Sequence, residues 1–261
     1  MAVHAIAYVE LYTRDKVPVV DHLVSAFGFR RAADSVTADR SSILLRSRGT
    51  QLVVTSGRGV GRYLDEFGDG VANIALTCDD VTATARAAVA AGAWSIRSED
   101  ETVVSAFGND ALSHTLIGTP GHPGPMLPPG RRWIPTGAVG ATGSAVAEPE
   151  GAELDHVGIG VAVLGACAGF YRTAFGLSAE GRDGTGARWS MRDARGNVRF
   201  ELFGTGLDAP LGGQVTRYVV LTAGASTGTE YGRNALVRPT GEPSESPARA
   251  AGREFARAVA R

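Results

Sequence analysis

One offset organises this chain. Ala26-Phe27-Gly28 returns as Ala174-Phe175-Gly176, an offset of 148 (Ala26 to Ala174). The same offset lays Ile6–Tyr12 on Leu154–Gly160 and Leu52-Val53-Val54 on Phe200-Glu201-Leu202. A single offset that holds across a strand, a helix and a closing strand marks an internal repeat. Each copy must therefore fold as a similar supersecondary unit. Where the first copy has Tyr8 and Val53, the second has His156 and Glu201, two residues able to bind a metal.

Within a copy the pattern reads β-α-β-β-β. Val3–Tyr12 alternates as a half-buried strand, and Val17–Phe27 carries apolar residues at helical spacing with Gly28 as its stop. Short strands fit 29–35, 42–46 and 50–55, followed by a linking helix near 62–67. A second unit of the same order runs from the strand 71–77 through the Ala-rich helix 81–91, which Asp79 or Asp80 can cap, to strands at 94–97, 102–107 and 112–117. The Pro/Gly-rich stretch that follows reads as a linker on the outside of the molecule. The fourth unit opens at 214–222 and then dissolves into Gly, Ser, Thr and Pro, ending in an Ala/Arg-rich segment that can form a short helix docked by Phe255 and Val259.

The expected fold class is α+β, built of tandem β-α-β-β-β units. Residues 1–118 form an N-terminal paired domain, 119–152 a linker, 153–225 a C-terminal part with one complete and one degenerate unit, and 226–261 a flexible tail. The chain's 261 residues, 44% of them hydrophobic, suffice for a sizeable core. A net charge of −1 gives no bulk attraction to nucleic acid or anionic membranes. No apolar run approaches membrane-spanning length, and the start lacks a basic-then-apolar signal pattern. Two cysteines, Cys78 and Cys167, make neither a CxxC motif nor a disulfide framework, so a reduced, cytoplasmic setting is expected. The Gly-rich pieces match no phosphate-binding loop, and no Ser-His-Asp or Cys-His arrangement stands out.

The set Tyr8-Val9-Glu10-Leu11-Tyr12, Ala26-Phe27-Gly28-Phe29, Gly68–Leu76, Ser113–Ile117, Leu154–Gly158 and Phe170–Gly176 resembles the vicinal oxygen chelate superfamily. Its nearest likeness is to the 4-hydroxyphenylpyruvate dioxygenase and 4-hydroxymandelate synthase branch, over about residues 3–222. That resemblance implies a metal-free first half and a second half holding Fe(II) by two histidines and a glutamate. It also implies a 2-oxo acid held by its carboxylate and keto oxygens, O₂ activation and CO₂ release. Only His156 matches the family's ligands directly. The second histidine falls where Arg217 or Tyr218 stands, making these the candidate substrate-binding residues. Arg217 cannot be an ordinary ligand, because it stays protonated, but it can bind a substrate carboxylate.

Glu201 is the plausible local partner of His156, at a position that glyoxalase-like members use for a carboxylate ligand. A homodimer pairing two such halves would complete the set and cover the face left bare by the fourth unit. The competing readings are a strand histidine that only hydrogen-bonds, and a Glu201 engaged in an ion pair with Arg199. His114 and Glu10 are expected to be structural. Two functions follow: a non-haem oxygenase acting on an aryl 2-oxo acid or similar aromatic molecule, or a metal-free binder or inactive relative of the same fold.

Overall fold

The structure is a computed structural model describing residues 3–98, 101–106, 109–119, 126–136, 151–182, 188–204, 217–223, 227–232 and 237–239. The first half comprises strand β1 (Val3–Tyr12), helix α1 (Lys16–Phe27), strands β2 (Arg30–Val36), β3 (Ser41–Ser47) and β4 (Thr50–Ser56), and helix α2 (Gly61–Phe67). It continues with β5 (Gly70–Cys78), α3 (Val81–Ala90), β6 (Ser95–Arg97), β7 (Thr102–Ala106) and β8 (Asn109–Gly118). After a two-residue strand β9 (Ile134–Pro135) come β10 (Ala152–Val161), α4 (Leu164–Phe175), β11 (Ser178–Arg182), β12 (Arg188–Arg192) and β13 (Arg199–Gly204). The chain then adds β14 (Arg217–Ala223), β15 (Thr227–Gly232) and β16 (Val237–Pro239).

The repeat is visible in the caps. Asp15 accepts the Val17 amide at 3.0 Å to start α1, and Asp80 accepts the Ala83 amide at 2.9 Å to start α3. Helices α1 and α4 both end on a left-handed glycine, Gly28 at φ 70° and Gly176 at φ 71°. A side chain there forces an L-residue into the left-handed region. Alanine at either position should therefore lower stability by about 1–2 kcal/mol, read as a lower urea midpoint at unchanged m-value.

The first sheet has the order β6-β7-β8-β5-β1-β4-β3-β2-β9, and the second β11-β12-β13-β10-β14-β15-β16. In each, an opening strand lies parallel to its own closing strand: β1 with β4, β5 with β8, β10 with β13. One face of each sheet is apolar and packs on the helices. Val9, Leu11, Leu52 and Ile74 from the first sheet join Val157, Ile159, Phe200 and Leu202 from the second in one cluster around Leu23, Phe27, Tyr171 and Phe175. Fully burying each such side chain contributes about 1.5–3 kcal/mol. The face of each sheet opposite that apolar one is its cup face; on the first sheet it carries Tyr8, Ala33, Leu44, Val53 and Ala75. No helix among the described residues is long and apolar enough to cross a membrane.

Two features differ from the sequence reading. Beyond residue 225, where a tail is expected, β15 pairs antiparallel with β14, and β16 with β15. Strand β15 thus takes the slot beside β14 that β8 takes beside β5, running the other way. Its sequence Thr-Gly-Thr-Glu-Tyr-Gly has little apolar signal, so its strand character comes from pairing. The linker, in turn, does not simply wrap the outside. Trp133 is 9% exposed and packs with Tyr8, Ala33, Leu44, Val53 and Ala75 in the first cup. The expected helix near the C-terminus lies outside the described residues.

Candidate functional site

Strand alternation sorts the second sheet. Val157, Ile159, Val161, Phe200, Leu202 and Met191 face the helices, leaving His156, Gly158, Arg199, Glu201, Arg188 and Ser190 for the cup. Neighbours in a regular strand point to opposite faces, yet Asp155 and His156 meet. The pairing of β10 with β14 shifts between Leu154 and His156, leaving Asp155 without a ladder partner. Such a bulge re-aims side chains. The first half has the matching shift between Ile6 and Tyr8.

His156 Nδ1 lies 2.6 Å from Asp155 Oδ2, and Arg199 reaches the other Asp155 oxygen at 2.5 Å. An ionised carboxylate only accepts, so Nδ1 carries the proton and donates it; in the neutral ring Nε2 is then the lone-pair nitrogen. The Asp155 carboxyl is held below its ordinary value, first by the hydrogen bond from His156, then by the charges of His156, Arg199 and Arg192, against the opposing effect of burial. A carboxylate behind an imidazole is the usual support of a metal-ligating histidine, because it fixes ring orientation and raises basicity. The donor chemistry at His156 therefore fits a metal.

Glu201 is register partner of Gly158, one strand across and two residues along from His156. It pairs with Arg188 at 3.9 Å, while Arg199, its expected partner, is engaged by Asp155. At that distance and partial exposure the Arg188 contact is worth at most about 1 kcal/mol. Register also separates the two candidates on β14. Tyr218 is partner of Gly158 and so shares a row with Glu201, whereas Arg217 is partner of Ile159. The first half repeats this geometry: Glu10 partners Asn73 and Tyr8 partners Ala75, just as Gly158 partners Tyr218 and His156 partners Val220. On the next strand, Ala75 partners Thr115 and Val220 partners Glu230. Glu230 thus holds, beside β14, the register position that Thr115 holds beside β5. Among the described residues no three His, Cys, Asp or Glu side chains gather as a metal-holding group.

Sequence reasoning missed Asp155 and Glu230. Asp155 was signalled only by adjacency to His156, which counts for nothing until the bulge is known. Glu230 lies in a segment with no strand-like apolar pattern.

Against solved structures, the chain aligns with a triple mutant of 4-hydroxymandelate synthase from Streptomyces coelicolor at 32% identity and TM-score 0.63, over 78% of this chain and 63% of that one. The fold is of the vicinal oxygen chelate type. A second likeness, at 17% identity and TM-score 0.56, is to a xylose isomerase-like TIM barrel/4-hydroxyphenylpyruvate dioxygenase fusion protein. It covers 78% of this chain and 32% of the fusion, and bears on the fold alone. The chain spans less than two thirds of the length of both proteins. No protein-family model matches it. The resemblance to the 4-hydroxymandelate synthase and 4-hydroxyphenylpyruvate dioxygenase branch, expected from the sequence, therefore stands, on a vicinal oxygen chelate fold.

Proposed function

We propose that the chain is a divergent non-haem, metal-dependent oxygenase related to 4-hydroxyphenylpyruvate dioxygenase and 4-hydroxymandelate synthase. Its substrate would be an aryl 2-oxo acid or similar aromatic molecule, and its metal Fe(II). The observation that carries this reading is the Asp155–His156 pair, an imidazole buttressed by a carboxylate on the cup face of β10. His156 would hold the metal through Nε2, with Glu201 and Glu230 as carboxylates and Tyr218 at the remaining row position. Bound Fe(II) would supply O₂ activation. The chain's own part is to orient: Arg199 fixes Asp155, Asp155 fixes the tautomer and plane of His156, and Arg188 holds Glu201 loosely enough to yield it to a cation. Tyr218, register partner of Gly158, and Arg217, register partner of Ile159, are the candidate substrate contacts, Tyr218 being in the row of Glu201.

A metal-free binder of aromatic small molecules is the second reading. The Arg188–Glu201 pair favours it, since it gives Glu201 a cationic neighbour without metal.

The test is metal content and turnover together. The oxygenase reading expects Fe(II), or Co(II) as its spectroscopic substitute, to bind at about one equivalent, and O₂ to be consumed with an aryl 2-oxo acid with matching CO₂ release. A folded chain that binds the aromatic acid but no metal supports the binder instead. Glu230→Gln should weaken metal binding in a monomer. Retained binding in that variant, with a doubled mass in solution, would mean that a second chain completes the site.

A further inference from the structure

The first cup is closed by the chain's own cation. Glu10 is 3% exposed and sits one row from Tyr8, the residue that the repeat matches to His156. Arg131, from the linker, donates to both Glu10 carboxylate oxygens, Nη1 to Oε1 at 2.9 Å and Nη2 to Oε2 at 3.0 Å. Nη1 also donates to Ser42 Oγ at 3.0 Å, and Thr55 Oγ1 donates to Glu10 Oε1 at 2.7 Å. The guanidinium lies 5.7 Å from the ring centroid of Trp133. Trp133 is itself pinned by its Nε1–H to the Pro128 carbonyl at 2.8 Å. The segment is further held by β9, where Ala33 partners Pro135 and Asp34 partners Ile134.

These contacts are those of a recognition site: a two-pronged carboxylate clamp, a hydroxyl acceptor and an aromatic plane, each matched to a flat guanidinium rather than to a point charge. The surroundings are rich in acceptors. Thr115 donates to Glu101 at 3.2 Å, and Asn73, 7% exposed, donates to Ser113 and Thr115 while its Oδ1 is buried with no hydrogen-bond partner. An open groove of about 720 Å³ runs along the segment, lined by Leu127, Pro128, Arg131 and Trp133 among others.

We propose that the outer face of the first sheet is a guanidinium-binding site occupied in cis by Arg131, and that it accepts a free alkylguanidinium when that side chain is removed. The repeat then divides labour. The second cup offers its ligands to a metal, whereas the first satisfies its buried carboxylate with a resident organic cation.

Chemical rescue tests this. Arg131→Ala strands Glu10 and should lower the unfolding temperature of the full chain by about 10 °C. N-ethylguanidinium, kept to about 50 mM or less so that its denaturing action stays small, should restore about 3 °C or more in a saturable manner. Ethylammonium at equal ionic strength should not, and neither salt should stabilise the wild type. Arg131→Lys keeps the charge without the fork and should still lose about 5 °C. Equal rescue by both amines, no saturable rescue, or a lysine variant as stable as the wild type would each overturn the proposal. If Arg131→Ala does not fold, the lysine variant decides alone.

Discussion

On the oxygenase reading, alanine at position 156 is expected to raise the dissociation constant for a divalent metal at least about 100-fold, because it removes the one imidazole on the cup face among the described residues. Asp155→Asn is the sharper companion. It keeps the ring and its donors but removes the charged acceptor behind Nδ1, so affinity should fall about 10–100-fold. The mechanism predicts that order, with alanine at 156 worse than asparagine at 155. Co(II) titration followed by visible absorption reads both without requiring turnover. Circular dichroism and unfolding temperature, read on both variants, separate loss of a ligand from loss of the fold, since Asp155 also holds Arg199. If His156→Ala binds Co(II) as tightly as the wild type, the metal site is elsewhere and the oxygenase reading loses its support.

How much of this was legible in the sequence depends on which contacts set each element. The strands and helices of the first three units follow from local pattern, since Leu23, Phe27, Tyr171 and Phe175 recur at helical spacing and stop at left-handed glycines. His156 followed from the repeat. Three features did not, and each depends on a long-range partner. The meeting of Asp155 with His156 needs a register shift against β14, and simple alternation places the two side chains on opposite faces. Strand β15 needs the open edge of β14, because Gly228 and Gly232 give it no strand preference of its own. Arg131 and Trp133 sit among prolines and glycine that read as a loop; the backbone is indeed irregular, but its side chains fill a cup formed some 90–120 residues earlier in the chain. Register likewise separates Tyr218, partner of Gly158, from Arg217, partner of Ile159, which alignment of the repeat left open by one place.

The largest stability effect is expected at His114, whose role is to join the two halves. It sits on β8 with no exposed surface. Its Nδ1 faces the Ile74 carbonyl at 3.3 Å and its Nε2 the Tyr171 hydroxyl on α4 at 3.0 Å. A carbonyl only accepts, so Nδ1 carries the proton and Tyr171 donates to Nε2. Phe175 and Phe200, both of the second half, pack against the ring at 5.1 and 6.1 Å. Burial lowers the His114 pKa to about 4, with the Ile74 carbonyl opposing. The native ring therefore stays neutral where the unfolded one takes up a proton near pH 6.5. Between those values the unfolded state binds more protons, so the stability His114 contributes is complete above about pH 6.5 and is lost as pH falls towards 4. A shift of this size amounts to roughly 3 kcal/mol across that window. Urea unfolding of the wild type at pH 7 and 4.5 should show most of that loss. In the His114→Phe/Tyr171→Phe double variant neither the titrating ring nor its hydroxyl partner remains, and this part of the pH dependence should vanish. His114→Ala alone should be severe, about 3–5 kcal/mol, because it opens a cavity between the halves and leaves the Tyr171 hydroxyl unpaired. An unchanged pH dependence in the double variant would mean that acid acts elsewhere. The flattening expected here would instead identify one buried imidazole as the point where the two halves of the repeat lose their hold on each other.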